Sequence, residues 1–151
     1  MFRGVHHLSV DVKGRLTLPA RHRERLDTLC AGHLVATIDT QSRCLLVYPL
    51  PTWEELERQI QALPALNPAV RRFQRLLIGY ASDIECDGNG RLLLPPSLRD
   101  YAGLDKKAVL VGQGNKMELW DENKWMNERD TWLEQSSGEG AIPEEMLRLA
   151  L

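Results

Sequence analysis

No apolar run in the 151-residue sequence approaches the roughly 20 residues a membrane-crossing helix needs, so no membrane partner is expected. Cysteine is scarce. Cys30, Cys44 and Cys86 are scattered, and no two stand at metal-ligand spacing. An odd number of thiols with no secretory leader points to a reducing cytoplasm. There is no glycine-rich phosphate loop, no zinc motif, and no Ser/His/Asp or Cys/His set with a supporting pattern. The expectation is a protein that is not an enzyme, with no catalytic residues, metal, cofactor or small-molecule substrate. An excess of positive charge is also missing: the net charge is −2. Bulk composition therefore does not announce a nucleic-acid binder.

The distribution of charge says more. Residues 1–82 hold 11 Lys/Arg against 7 Asp/Glu, and residues 83–151 hold 8 against 14. Lys13, Arg15, Arg21, Arg23 and Arg25 crowd one short stretch, and they are expected to form one basic patch. A local patch on a near-neutral protein is the electrostatic footprint of a polyanion partner.

That stretch belongs to a repeat. Asp11-Val-Lys-Gly14-Arg15-Leu16-Thr-Leu18-Pro19 returns as Asp87-Gly-Asn-Gly90-Arg91-Leu92-Leu-Leu94-Pro95, each matching position shifted by 76. A fixed shift marks a duplicated structural unit. Glycine supplies a turn position with positive φ, and Asp three residues earlier can bond back to the turn backbone. Leu-x-Leu then alternates as a half-buried strand, and Pro ends it or opens a helix. Each unit reads as a tight hairpin with Arg at its tip. Two uses of that Arg stay open: an ion pair with the Asp that locks the turn, or presentation to a phosphate or base edge.

A short helix follows each Pro. Two strands come next in each copy, 34–38 and 44–48, then 108–111 and 117–120. A helix carrying Trp53 or Trp125 closes each unit. Thr52 fits as the N-cap of the first closing helix, with Glu55 completing a capping box. Asn67 caps a further helix with Pro68 at its first position. Its apolar side is Val70, Phe73, Leu76, Leu77 and Tyr80, with Arg71, Arg72 and Arg75 opposite. His6 and His7 are adjacent, so in a strand they face opposite ways and make poor joint metal ligands. Residues 136–140 read as a flexible break, and 143–151 as a short amphipathic tail that docks on this subunit or a neighbour.

These segments resemble the MraZ family of bacterial transcriptional regulators, in the AbrB-like swapped-hairpin superfamily. The resemblance rests on Met1–Gly4, Asp11–Pro19, Asn67–Arg72, Leu76–Ala81, Asp87–Pro95 and Glu118–Trp120, which span nearly the whole chain in order. It implies an α+β fold of tandem AbrB-like units: a pseudo-two-fold β core, expected as a mixed sheet, with peripheral helices. The expected divisions are 1–53 for the first unit, 54–82 for connecting helices, 83–126 for the second unit, and 127–151 for the C-terminal helix and tail. It also implies a homo-oligomeric ring of about eight to twelve subunits and double-stranded DNA as partner. The target would be short direct repeats in the promoter of the chain's own division and cell-wall operon, repressed by a cytoplasmic, nucleoid-associated protein.

Within that frame Arg15 is expected to reach a guanine edge in the major groove. Lys13 and Arg3 are expected on phosphates, Arg3 as a mobile arm near the hairpin tip. Gly14 would let the backbone approach DNA. Asp11, Asp87 and Gly90 would hold the turns, and Arg91 would be the second hairpin's DNA contact. Asp83, Glu85 and Asp87 make the second hairpin more acidic, so the first is expected to be the main reader. The competing reading is a non-enzymatic assembly or antitoxin-like interaction module.

Overall fold

The computed structural model describes residues 1–137, 140 and 142–151. In chain order the elements are β1 (Val5–Ser9), β2 (Arg15–Thr17), α1 (Ala20–Cys30), β3 (His33–Ile38), β4 (Leu45–Pro49), α2 (Leu50–Gln61) and α3 (Pro68–Gly79). The second half repeats the scheme with β5 (Ser82–Glu85), β6 (Arg91–Leu93), α4 (Pro96–Ala102), β7 (Lys107–Gly112), β8 (Met117–Asp121), α5 (Glu122–Ser137) and α6 (Glu144–Leu147).

The strands form a six-stranded sheet in the order β1-β7-β8-β4-β3-β5 and a two-stranded ribbon, β2-β6. Every pairing is antiparallel, so the sheet is not mixed as expected. Short connections between sequential strands allow this, whereas parallel neighbours need long crossovers. The two units are interleaved. β1 of the first unit lies on β7 of the second, and β5 of the second lies on β3 of the first. The expected hairpins therefore close only at their turns: the strands leaving each turn part, one to the large sheet and one to the ribbon. This is a tandem swapped-hairpin α+β fold.

Side-chain alternation explains the layering. Leu34, Ala36 and Ile38 of β3 and Ala108 and Leu110 of β7 face one core, shared with Leu16, Leu92, Leu26 and Leu98 from the ribbon, α1 and α4. The intervening Val35 packs with Trp53, Ile60 and Leu77 under α2 and α3, and Val109 and Val111 pack with Trp120 and Trp125 under α5. Both faces of the sheet are covered, so its inner strands read as continuous apolar runs rather than alternating ones. Leu16 and Leu92 pair across the ribbon and are each 2% exposed.

The helix ends hold one success and one correction. Asn67 caps α3, its Oδ1 accepting from Ala69 N at 2.9 Å, with Pro68 first in the helix. Thr52 does not cap α2. That helix starts at Leu50, with Pro49 at the cap position and Pro51 in the first turn. Proline has no N–H to satisfy and a fixed φ suited to the first turn, so the helix opens upstream of Thr52. On α3 only Leu77 is buried, and Leu76 and the C-cap Tyr80 each stay 37% exposed. The tail helix α6 and its flanks are exposed throughout, so the tail does not dock on its own subunit. Of the break expected over 136–140, Ser136 belongs to α5, while Gly138 and Glu139 lie outside the described residues.

Candidate nucleic-acid interface

The two turns are built alike. Asp11 Oδ1 accepts from Lys13 N and Arg15 N, both at 2.9 Å, and Asp87 Oδ1 accepts from Asn89 N and Arg91 N, both at 2.9 Å. Gly14 and Gly90 close the bends with φ of +85° and +77°. The second oxygen of each Asp takes the Arg side chain: Arg15 Nε donates to Asp11 at 2.8 Å and Arg91 Nε to Asp87 at 3.1 Å. Hydrogen bonds from backbone and side chain of the arginine hold both carboxyls below their ordinary pKa, so both turns keep their charge.

The ion pair and the presented arginine are thus one arrangement. Among the described residues only Nε of each is engaged, so the two terminal nitrogens of each guanidinium keep the edge that bonds guanine O6 and N7 or a phosphate. Register then decides where these edges point. Arg15 pairs with Leu93 and Thr17 with Arg91. Directly opposed residues share a face, as do residues two apart along a strand. Arg15, Thr17, Arg91 and Leu93 therefore form the outer face of the ribbon, while Leu16 and Leu92 turn inward. A two-stranded ribbon is narrow enough to enter a major groove about 12 Å wide.

The basic residues do not form the single patch expected. Arg21 and Arg25 are four apart on α1 and share a face, whereas Arg23, two apart from each, projects to the other side. Its Nη1 donates to the carbonyl of Asn89 at 3.2 Å, in the second turn. Arg99 packs over the first turn in the same way, although its Nε donates to the carbonyl of Leu94 at 3.2 Å. A Cβ on Gly14 would lie 2.5 Å from Arg99 Nε, and a Cβ on Gly90 would lie 1.9 Å from Arg23 Cδ. The room at each glycine is filled from within, by the arginine of the opposite unit, rather than left for DNA. Arg99 was missed from sequence, although it stands 76 residues after Arg23. The first turn thus sets Lys13 and Arg15 on one carboxylate, with Arg99 packed over its glycine.

Arg3 is not a mobile arm at the tip. Phe2 is 2% exposed and exchanges backbone hydrogen bonds with Gly114, and Gly4 accepts from Gly112 N. This anchors Arg3 at the end of β1 away from the turn, beside Arg21 and Arg25. His6 and His7 do face opposite ways: His6 stacks edge-on to His22 with centroids 5.0 Å apart, and His7 Nδ1 lies 3.1 Å from Glu122. Asp39, Cys44 and Glu118 bring possible ligand atoms within 4.8 Å of one another. Burial first, then Glu118 and Asp39, push the Cys44 thiol well up.

Two interleaved hairpin units that hold an arginine-bearing ribbon clear of the main sheet define an AbrB-like swapped-hairpin protein. The family description "MraZ protein, putative antitoxin-like" matches the chain twice, over residues 1–76 and 77–141. The chain is 56% identical to the transcriptional regulator MraZ of Halorhodospira halophila, 52% to that of Pseudomonas aeruginosa and 49% to that of Coxiella burnetii, with 100% of both chains covered each time. The chain belongs to the MraZ family of transcriptional regulators. No helix among the described residues is long and apolar enough to cross a membrane.

Proposed function

We propose that the outer face of the β2-β6 ribbon binds double-stranded DNA in the major groove, and that the chain represses its own division and cell-wall operon by reading short direct repeats in the promoter. The observation that carries this is the common face of Arg15 and Arg91, each aimed by an Asp that leaves its terminal nitrogens free. Lys13 adds phosphate-binding charge at the first turn, where the second has Asn89, which makes Arg15 the stronger reader of the two. The protein acts in the cytoplasm on the nucleoid, as a closed ring of about eight to twelve copies. A ring repeats the ribbon along one direction, so several weak contacts add through effective concentration, and direct rather than inverted repeats suit it. A net negative protein binds DNA in this way because the duplex meets only the displayed basic edge.

The test is affinity for a fragment from upstream of the chain's own gene, with wild type, Arg15→Ala and Arg91→Ala across a salt series. Wild-type affinity falls steeply with salt through counterion release. Arg15→Ala loses about 10- to 100-fold, in line with one bidentate base contact. Sequence-independent binding by wild type at every salt concentration would refute the regulator reading. It would promote the antitoxin-like assembly module, which the exposed apolar residues of α3 and the tail also suit.

A further inference from the structure

Beneath the first turn of α1 lies a charged pocket that the ribbon does not use. Met1, Arg3, Arg21, His22 and Arg25 line about 60 Å³ of space, several times the on-the-order-of 10 Å³ that a single water requires. His22 is 1% exposed, and neither ring nitrogen has a hydrogen-bond partner; His6 Nε2 beside it also has none. Among the described residues no carboxylate lies within 4.0 Å of Arg3, Arg21 or Arg25. Glu24 borders the adjoining groove without pairing to either helix arginine. Buried imidazole nitrogens without partners are costly, and three unpaired guanidiniums around them repel one another.

The second unit shows that the fold does not require this arrangement. The 76-residue shift sets Leu98 opposite His22, Ser97 opposite Arg21 and Tyr101 opposite Arg25. Leu98 is fully buried and packs in the core. An apolar residue therefore satisfies the position, and His22 with its arginines stands where packing alone would place leucine.

We propose that Arg3, Arg21 and Arg25, closing over the buried ring of His22, form a binding site for a phosphate group. Arginine forks match the oxygens of a phosphate, and an imidazole N–H beneath them supplies a further donor. Burial, followed by His6, Arg25 and Arg21, holds the His22 pKa below its ordinary value. The pocket thus sets a neutral ring under arginine charge that no carboxylate among the described residues offsets, and an oxyanion there relieves it. The phosphate could belong to a DNA backbone passing the side of the molecule, or to a free phosphate or phosphorylated small molecule. The site itself does not depend on the ribbon's reading of DNA.

The test is calorimetric titration of the full chain with inorganic phosphate against chloride at constant ionic strength. Wild type binds saturably, with a dissociation constant on the order of 1 mM or tighter. The double variant Arg21→Ala/Arg25→Ala, which changes one exposed and one half-buried side chain outside the core, binds at least about tenfold more weakly. His22→Leu, which copies the second unit, folds and loses the same affinity. Saturable binding that is absent in wild type, or unchanged in the double variant, overturns the proposal. So does a double variant that leaves phosphate binding intact but dissociates the assembly, since the arginines would then serve carboxylates of a second copy. A promoter fragment and a scrambled fragment separate the sources. Backbone phosphate predicts that the double variant weakens both equally and lowers the salt slope by about one or two. A free phosphate predicts DNA binding unchanged while phosphate binding is lost. Arg15→Ala keeps phosphate binding whatever it does to DNA, so failure of the ribbon reading and failure of this site are distinguishable.

Discussion

The turn at Asp11 to Gly14 and the turn at Asp87 to Gly90 share every hydrogen bond of their bends. Asp N donates to the Arg carbonyl, Gly N donates to the Asp carbonyl, and the Asp side chain accepts from two backbone amides and an Arg Nε. What differs is charge. Lys13 stands where the second turn has Asn89, and α1 carries Arg21, His22 and Arg25 where α4 carries Ser97, Leu98 and Tyr101. The cross-links differ as well. Arg23 reaches the carbonyl of Asn89 across the ribbon, whereas Arg99 covers Gly14 but donates to Leu94 of its own unit. Duplication thus kept the groups that make the bend and released those that decide what meets it.

The equivalence of the units is tested most severely at their shared core. Leu16 and Leu92 face each other across the ribbon, equally buried. Leu16→Ala and Leu92→Ala should each cost about 2–5 kcal/mol, and by similar amounts, because each leaves a cavity in the same cluster. Denaturant unfolding of both variants measures this. A gap of more than about 2 kcal/mol between them would mean that one unit carries the core and the other leans on it.

The electrostatic difference is tested next, at the arginines. If the ribbon alone set DNA affinity, Arg15→Ala and Arg91→Ala would weaken binding equally, each by about 1–3 kcal/mol. The extra cation at the first turn, Lys13, predicts the larger loss for Arg15→Ala. Exchanging it, Lys13→Asn, should copy the second turn and bring the two losses together. If Lys13→Asn leaves the difference standing, the asymmetry lies elsewhere in the assembly.

The repeat was the most legible part of the sequence because a 76-residue shift survives wherever a turn demands Asp, Gly and Arg together. The succession of strands and the paired closing helices followed from the same duplication, at a spacing that shortens to 72 by Trp53 and Trp125, and the family resemblance supplied the swap of hairpins between units. Less was legible where the answer lay in long-range pairing. The five basic residues near the first turn are close in sequence, yet helix periodicity sends Arg23 one way and Arg21 and Arg25 the other. Arg99 is remote from Gly14 in sequence and covers it only because the units interleave. Arg3 looked free because its anchor is Phe2, whose bridging partner is Gly114.

The glycines give a smaller test of that interleaving. Gly14→Ala and Gly90→Ala both place a side chain at positive φ, which costs about 1–2 kcal/mol. The added methyl also presses on the arginine of the opposite unit. Gly90→Ala should be the worse of the two, since Arg23 sits closer and gives up its bond to Asn89 when displaced. Thermal melts decide the order. A milder Gly90→Ala would show that Arg23 moves aside freely and that the cross-unit bond contributes nothing.

The subtlest contrast is His22 against Leu98, and pH isolates it. His22 is faced by His6 from β1, by Phe2 and Arg3 from the N-terminal segment, and by Arg21 and Arg25 from its own helix. Burial first, then His6, Arg25 and Arg21, lower its folded-state pKa. In the unfolded chain a histidine titrates near about 6.5. Above that pH the ring is neutral in both states, so stability does not change with pH through this group. As pH falls below it, the unfolded chain takes the proton first, and stability is lost until the folded-state pKa is reached. The turn carboxyls of Asp11 and Asp87 are also lowered, but their contribution persists until the pH falls below about 4, a separate window. Wild type should therefore lose more stability than His22→Leu between about pH 6.5 and pH 5. Phosphate should reduce that loss in wild type only, because an oxyanion over the ring favours its protonated form. Parallel pH profiles for the two proteins would show that His22 is as indifferent to its charge as Leu98, and the contrast between the units would then end at the turns.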